Sequence, residues 1–507
     1  MHKLLSALHE WRARPSAVLP LAFLQALAVG LDGLPSTYIF RAVRCEEYRA
    51  TAPPHLPEDD LCRAPAVQKA YSTDIAVFTT LLAVLSIVLS GPYGRLSDVR
   101  GRKRALGLAV ALNMLGDAWF ALCAVTPVLR KPWPLQLAAV LQGFGGGFSV
   151  VLAGQNAFLA DTTAPRERSY YMGLALVMWW AGNAVGPLFS GLLLDQGLYA
   201  ANFAGSVLVW AVYLSYLALV VREVREPAAE DTASEDVVAN GPALQTSLVQ
   251  RLLSVARAVL EPMIVLVQHT PLLLLSIAMA GTVLAVGVFN FIIPYCDTKF
   301  GLGPSEAAII SASWSVSRAI SVIFLLPIFL TAYQCITRSK EPQPQSATTS
   351  APEEATPLLS DNPQEVRQGP PEAEATSISQ ELTIVRFGLV LDAVGMVAIE
   401  RSRNAGEIIL ATIISSFGAP AGPSLQALLT LAAPPGEVGR VLAGLSVLQS
   451  AAIGLRGPLY APILNATLDK APGAIWWISA TGHADAVHAG CVLPADEAIR
   501  ACAREMI

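Results

Sequence analysis

Five ionisable residues interrupt otherwise apolar runs: Asp32, Asp117, Arg318, Asp392 and Arg456. A charge held at the centre of a bilayer costs roughly 2.5–3.5 kcal/mol on insertion scales, so one that is retained faces water, a partner or a transported solute. A buried carboxylate can carry a proton, and a buried arginine can hold an anion. Gln142, Asn113, Asn156, Asn183 and Asn290 add hydrogen-bonding capacity within the same runs. Asp32, Asp117, Gln142, Arg318 and Asp392 are the candidates for a substrate or proton pathway. Asp117 and Arg318 fall near the middle of their runs. Other readings stand beside this one. Asp32 precedes Gly33 and Pro35 and could cap a helix break, and Arg456 precedes Gly457-Pro458 and could snorkel to the interface.

Other chemistries find little footing. No nucleophile–base pair is recognisable, so an enzyme is not expected. The histidines show no metal spacing, and no metal, cofactor or nucleic acid is expected. "GFGGGF" at Gly143–Phe148 mimics a phosphate loop but lacks the Gly-Lys-Ser/Thr ending, and is expected to be a close-packed stretch of helix. Seven cysteines form no Cys-x-x-Cys pair. Cys45 and Cys62 share one loop and could form a disulfide there, with Cys296 as a competing partner. Asn465-Ala466-Thr467 is a glycosylation sequon. Glu354, Leu358 and Leu359 match the spacing of an acidic dileucine sorting signal.

These residues sit on long apolar elements. Of 507 residues 53% are hydrophobic and 14% charged, where soluble proteins average about 25% charged. About 20 apolar residues cross a core of about 30 Å. Such runs occur near 17–40, 73–93, 105–126, 135–157, 170–194, 200–221, 271–294, 306–334, 384–400, 406–431 and 441–464. A twelfth begins at "GAIWWISA" and meets His483, Asp485 and His488 soon after. The expectation is therefore an all-α polytopic membrane protein with eleven clear spans and an incomplete twelfth. Residues 1–221 form a six-helix bundle. Residues 222–270 form a linker in which "LQTSLVQRLLSVARAVL" reads as an interfacial amphipathic helix. Residues 271–480 form a second bundle interrupted by a Pro/Glu/Ser/Thr-rich loop, 335–382, expected to be disordered, and 481–507 form an atypical tail. With a cytoplasmic N-terminus, 19 Lys and Arg fall on the cytoplasmic side and 11 on the other, which supports that orientation.

The densest basic cluster, "GRLSDVRGRKR", lies in the turn between the second and third runs. A stop-transfer role explains its five basic residues but not the spacing of Gly94, Asp98 and Gly101. With Arg102 and Lys103 these residues resemble the Gly-x-x-x-Asp-x-x-Gly-Arg-Lys/Arg motif of the major facilitator superfamily. The resemblance implies two six-helix bundles, transport by alternating access, and a latch at this turn that holds the inner ends together while the pocket faces out. Gly182, Gly186, Pro187 and Gly191 are similar to the antiporter motif of the family's fifth helix, with Ser190 as a departure; simple close packing is the other reading. More narrowly, "YIFRAVRCEEY", "CRAPAVQKAYS" and "KFGLGPSEAAIISASWSVSRAIS" look like fungal relatives of the proton-coupled folate transporter group. Two departures stand out. Drug antiporters carry an arginine where this chain has Ala139, and "TAYQCITRSK" offers no second copy of the turn motif. The resemblance implies a monomeric carrier of a small organic solute, coupled to protons, in a plasma or vacuolar membrane. A drug/proton antiporter is one alternative, and a non-transporting sensor or inactive paralogue is another.

Overall fold

Proline at the first turn starts several helices, because its missing N–H would be unpaired there in any case. Pro65, Pro132 and Pro304 act in this way. Elsewhere a side chain caps the end: Asn404 accepts from the Glu407 amide at 2.9 Å. The computed structural model describes residues 15–50, 61–163, 168–223, 263–325, 327–329, 331, 371–434, 437–468 and 470–491.

Within them run α1 (Leu19–Arg49), α2 (Pro65–Arg100), α3 (Arg102–Val125), α4 (Pro132–Phe144 and Gly147–Thr162), α5 (Arg168–Asp195) and α6 (Tyr199–Leu219). The second set is α7 (Thr270–Val286, continuing through a tighter turn to Ile292–Phe300), α8 (Pro304–Ile320), α9 (Pro371–Arg401), α10 (Ala405–Ser416 and Ala421–Leu431), α11 (Val438–Thr467) and α12 (Ala474–Cys491). Among the described residues there is no strand. Two clusters of buried side chains fill the first set, around Phe120, Phe203, Phe158 and Tyr213. Two more fill the second, around Trp476, Tyr460, Leu389 and Leu425.

The helices outrun their apolar cores. α2 has 36 residues, about 54 Å at 1.5 Å each, against a hydrocarbon core of about 30 Å. Its ends stand in water, which is why hydropathy locates only its middle.

Small residues bring the two bundles together. Cross-bundle seams form between α5 and α8 and between α2 and α11. A Cβ on Gly191 would stand 2.6 Å from Ala308 Cβ, and one on Gly457 would stand 2.7 Å from Thr79 Oγ1. Neither position tolerates a side chain without movement of the backbone.

Several expectations need correction. Helix α4 is not continuous through the glycine run: Gly146 and Gly147 both take positive φ, and the helix breaks between Phe144 and Gly147. Asp32 caps no break, since α1 runs unbroken past it and past Pro35. α9 begins at Pro371, inside the stretch expected to be disordered, because 372–382 contain helix formers and no glycine or proline. Among the described residues ten helices are long and apolar enough to span a membrane, and α11 is long enough at 30 residues. The apolar stretch of α12 ends at Ala480, but the helix continues to Cys491, so 480 is no structural boundary. Its 18 residues span about 27 Å. The linker helix and Glu354, Leu358 and Leu359 lie outside the described residues.

Candidate functional site

Each bundle buries one aspartate on its third helix. Asp117 on α3 is 2% exposed and Asp392 on α9 is 1% exposed. Each is bonded by the helix that follows. Gln142 Nε2 donates to Asp117 Oδ1 at 2.7 Å, and Ser415 Oγ donates to Asp392 Oδ1 at 2.8 Å. Gln142 stands ten residues after Pro132 and Ser415 ten after Ala405. Both precede the break in their helix, at Gly145-Gly146 in α4 and at Phe417–Pro420 in α10. The sixth helix of each bundle closes the group. Trp210 Nε1 on α6 donates to Asp117 Oδ2 at 2.8 Å, Ser206 donates to the same oxygen, and His483 Nε2 on α12 stands 3.9 Å from Asp392 Oδ2. Two constellations thus occupy matching places in the two halves. Interrupted helices at corresponding positions are where carriers built from repeats place their sites.

Their surroundings differ. The donors on Asp117 are all neutral: an amide, a hydroxyl and an indole. The half-buried Asp32 of α1 lies close to both Asp117 and Gln142, and its Oδ1 accepts no hydrogen bond. Asp392 instead faces Arg318 Nη2 at 3.1 Å. The guanidinium is 4.9 Å from the Trp314 ring centre and 5.6 Å from that of Trp180. Trp180 belongs to the first bundle, so Arg318 sits at the seam, one turn from the Asn183–Ser315 hydrogen bond of 2.8 Å that crosses it. Arg456 does not snorkel; its Nη2 donates to the Val283 carbonyl at 2.8 Å.

The outer ends of the bundles are tied together. Asp297 of α7 is 3% exposed. It receives Arg41 Nη2 from α1 at 3.0 Å and Gln68 Nε2 from α2 at 2.7 Å. Ser72 Oγ of α2 donates to Asn465 Oδ1 of α11 at 2.5 Å, and Asn465 Nδ2 donates to Thr73 Oγ1 at 3.1 Å. The sequon asparagine is therefore a cross-bundle contact, and a glycan on Nδ2 is incompatible with this arrangement. Cys45 and Cys62 form a disulfide with Cα atoms 4.9 Å apart, while Cys296 is buried and free. The bridge stands next to the lock: Arg41 lies one turn before Cys45, and Arg63, beside Cys62, donates to the Gly301 carbonyl at 3.1 Å.

The described contacts of the inner turn lie within the first bundle. Gly101 has φ +97°, a conformation that side chains avoid. Glu223 accepts the amides of Arg102 and Lys103 at 3.0 and 2.9 Å, capping α3. Arg102 Nε pairs with Asp161 at 3.0 Å, and Lys103 Nζ donates to the Ala218 and Val221 carbonyls. Gly94 meets no close neighbour, and Asp98 lies on α2 with its side chain outside the described set. On α5, Gly186 packs on Gly30 of α1 and Gly182 on Ala26, while Gly191 faces α8. Two of these three glycines therefore serve packing inside the first bundle.

The sequence did not single out Asp297 or His483. Asp297 lies in "YCDTKFG" at the end of its run, where an acid reads as a loop residue. His483 reads from the sequence as a polar interruption of the last span, although its spacing from Trp476 and Ser479 keeps it on the buried face.

The Major Facilitator Superfamily profile matches residues 59–334. An uncharacterized membrane protein of Schizosaccharomyces pombe, C14C4.07, is 26% identical over 514 residues, covering 92% of this chain and 77% of that one. The MFS efflux pump atnC of Emericella nidulans is 28% identical over 181 residues, 34% of this chain and 35% of the pump. The crystal structure of the human organic anion transporter MFSD10 superposes with a TM-score of 0.60 at 13% identity, covering 94% of this chain and 99% of that one. A D-xylose–proton symporter superposes at 0.58 with 14% identity, covering 93% and 96%. At such identities the two structures speak for the fold alone. With the profile matched over more than half its length and twelve helices among the described residues arranged as two bundles, this chain is a member of the Major Facilitator Superfamily.

Proposed function

We propose that the protein is a proton-coupled carrier of a small organic solute. It is a multi-pass membrane transporter of its superfamily and not an enzyme. The observation that carries the coupling is the environment of Asp117: a buried carboxylate held by neutral donors, with a second carboxylate, Asp32, beside it. A carboxylate held by neutral donors, with a second carboxylate nearby, can carry a proton through the cycle. The outer ends are locked by Asp297 and Asn465 and the inner turn is bonded within its own bundle, an arrangement that fits the half-cycle closed to the outside.

The narrower kinship, to fungal relatives of the proton-coupled folate transporter group, rests on the outer-loop and α8 sequences and says nothing of the solute. A drug/proton antiporter is the second reading. The α5 glycines and the partial likeness to a fungal efflux pump favour it, while Ala139 stands against it. Residence in the plasma or vacuolar membrane goes with either reading.

The deciding experiment uses purified protein in liposomes. An acid-outside gradient should drive solute accumulation in a symporter and solute expulsion in an antiporter. Solute flux that ignores the gradient in both directions would reject proton coupling.

A further inference from the structure

Arg318 is an arginine with an unfinished set of partners. It is 8% exposed, and its Nε is buried with no acceptor. Its contact with Asp392 is one Nη2–Oδ1 bond of 3.1 Å, not the two-pronged pairing that the guanidinium fork permits. The Trp314 indole beside it also carries a buried Nε1–H without an acceptor. Both unused groups are donors. They lie where Trp180 and Trp314, each half-buried, meet edge to face at 5.4 Å across the seam between the bundles.

Asp392 has other support ready. Ser415 donates to its Oδ1, and His483 lies beyond its Oδ2. The geometry fixes the chemistry of that histidine. Its Nδ1 is 3.0 Å from the Ser479 carbonyl, which can only accept, so Nδ1 carries hydrogen. The second proton must go to Nε2, which is buried, has no hydrogen-bond partner and faces the carboxylate.

We propose that Arg318 binds the carboxylate of an aromatic organic acid beside the Trp180–Trp314 pair, and that Asp392 holds its place until the acid arrives. The inference rests on the reading of the protein as a proton-coupled carrier and deepens it. Charge balance sets the stoichiometry. Empty, the group holds one cation, Arg318, and one anion, Asp392. A bound carboxylate adds a negative charge in a buried place. One proton from solvent on His483 Nε2 cancels it, and Asp392 moves from Arg318 toward the imidazolium. The loaded state has two ion pairs and no net charge, so binding of the acid takes up one proton at this group, separate from the proton held at Asp117.

The charged and titratable groups around His483 are few. Asp392 faces it from α9, with Arg318 of α8 behind. From α11, Arg456 is committed to the Val283 carbonyl and Tyr460 stands 3.5 Å from the Ala285 carbonyl. α7 offers carbonyls there, Ala285 accepting from Ser479. On α12 itself, Asp485 and His488 follow in sequence.

Equilibrium binding to the full-length protein in lipid nanodiscs tests this without transport. The probes are benzoate and 2-naphthoate, with benzamide and 2-naphthamide as uncharged counterparts. The acids should bind and the amides should not. Affinity for the acids should strengthen by up to about tenfold per pH unit as pH falls, the limiting slope for one linked proton. Arg318→Gln should lose at least tenfold. His483→Gln should keep binding but lose the slope. Asp392→Asn should bind the acids more tightly, again without the slope. If Arg318→Gln alone misfolds because Asp392 is left unpaired, the double variant Arg318→Gln/Asp392→Asn removes both charges and should still fail to bind.

The proposal is overturned if neither acid binds the wild type between pH 5 and 8. It is equally overturned if the amides bind as well as the acids, or if His483→Gln keeps the slope. Failure here beside gradient-driven flux of another solute would sink the organic-acid site and leave the proton-coupled reading standing. Binding as described, with flux blind to the gradient, would do the reverse.

Discussion

Asp117 is a position where the side chain cannot be exchanged for its amide without consequence. Gln142, Ser206 and Trp210 all donate to it. An asparagine would turn an NH₂ toward one of those donors, leaving a buried donor unpaired at a cost of about 1–3 kcal/mol. Asp117→Asn should therefore melt a few degrees lower but remain folded. It should also lose acid-gradient-driven accumulation while keeping downhill exchange. An unchanged response to the gradient in that variant would remove Asp117 from the coupling. Gly101 is a second residue with a sharp expectation. Its φ of +97° is open to glycine, and a Cβ there would stand 2.6 Å from Glu223 Oε2. Gly101→Ala should cost about 1–3 kcal/mol of backbone strain and displace the cap on α3. Thermal unfolding of purified protein would show it, and an unshifted midpoint would mean that the turn relaxes freely.

At the scale of elements, the sequence revealed the helices and misjudged where they break and end. Positions such as Asp117 and Arg318 were legible because a charge within an apolar run is conspicuous. Their partners were not, because Trp210, Ser415 and Ser206 are ordinary residues of a helix and only tertiary packing turns them inward. The break in α4 was hidden by the same glycines that cause it, since a glycine run suits close packing and helix interruption equally well. The end of α12 was legible only in part, for a clearer reason. Counting apolar residues assumes that every face meets lipid, whereas His483 meets Asp392. The same lesson applies to the sequon at Asn465. A three-residue pattern does not report that α11 carries it into a contact with α2. Protein from a eukaryotic host should show no mobility shift on glycosidase treatment that depends on Asn465. A shift lost in Asn465→Gln would show that this contact forms only after the site is modified or not at all.

For the whole molecule, two bundles and their order were readable from eleven apolar runs and one basic turn, but the relation between the bundles was not. That relation lives in side chains at the outer ends, where loop-like composition conceals function. Arg41, Gln68 and Asp297 join α1 and α2 to α7, and Ser72 and Thr73 join α2 to α11. Alternating access requires both sets to part when the protein opens outward. A covalent bond in place of one contact should therefore stop the cycle. Ser72 Oγ and Asn465 Oδ1 stand 2.5 Å apart, so Ser72→Cys/Asn465→Cys should cross-link under mild oxidation. The oxidised double variant should fall to background transport, and each single variant should keep its flux. Reductant should restore the double variant. Because Cys45 and Cys62 are already bridged, the wild type treated with the same reductant is the necessary control for loss of the native disulfide. The converse change is Asp297→Asn, which leaves Arg41 without its counter-charge and weakens the lock. A shift of about 1–3 kcal/mol is a factor of about 5–150 in the balance of two states. An impermeant maleimide should accordingly label Asn465→Cys from outside several-fold faster in the Asp297→Asn background. Full transport by the cross-linked pair, or labelling that is no faster when Asp297 is neutralised, would mean that the bundles do not separate at this end.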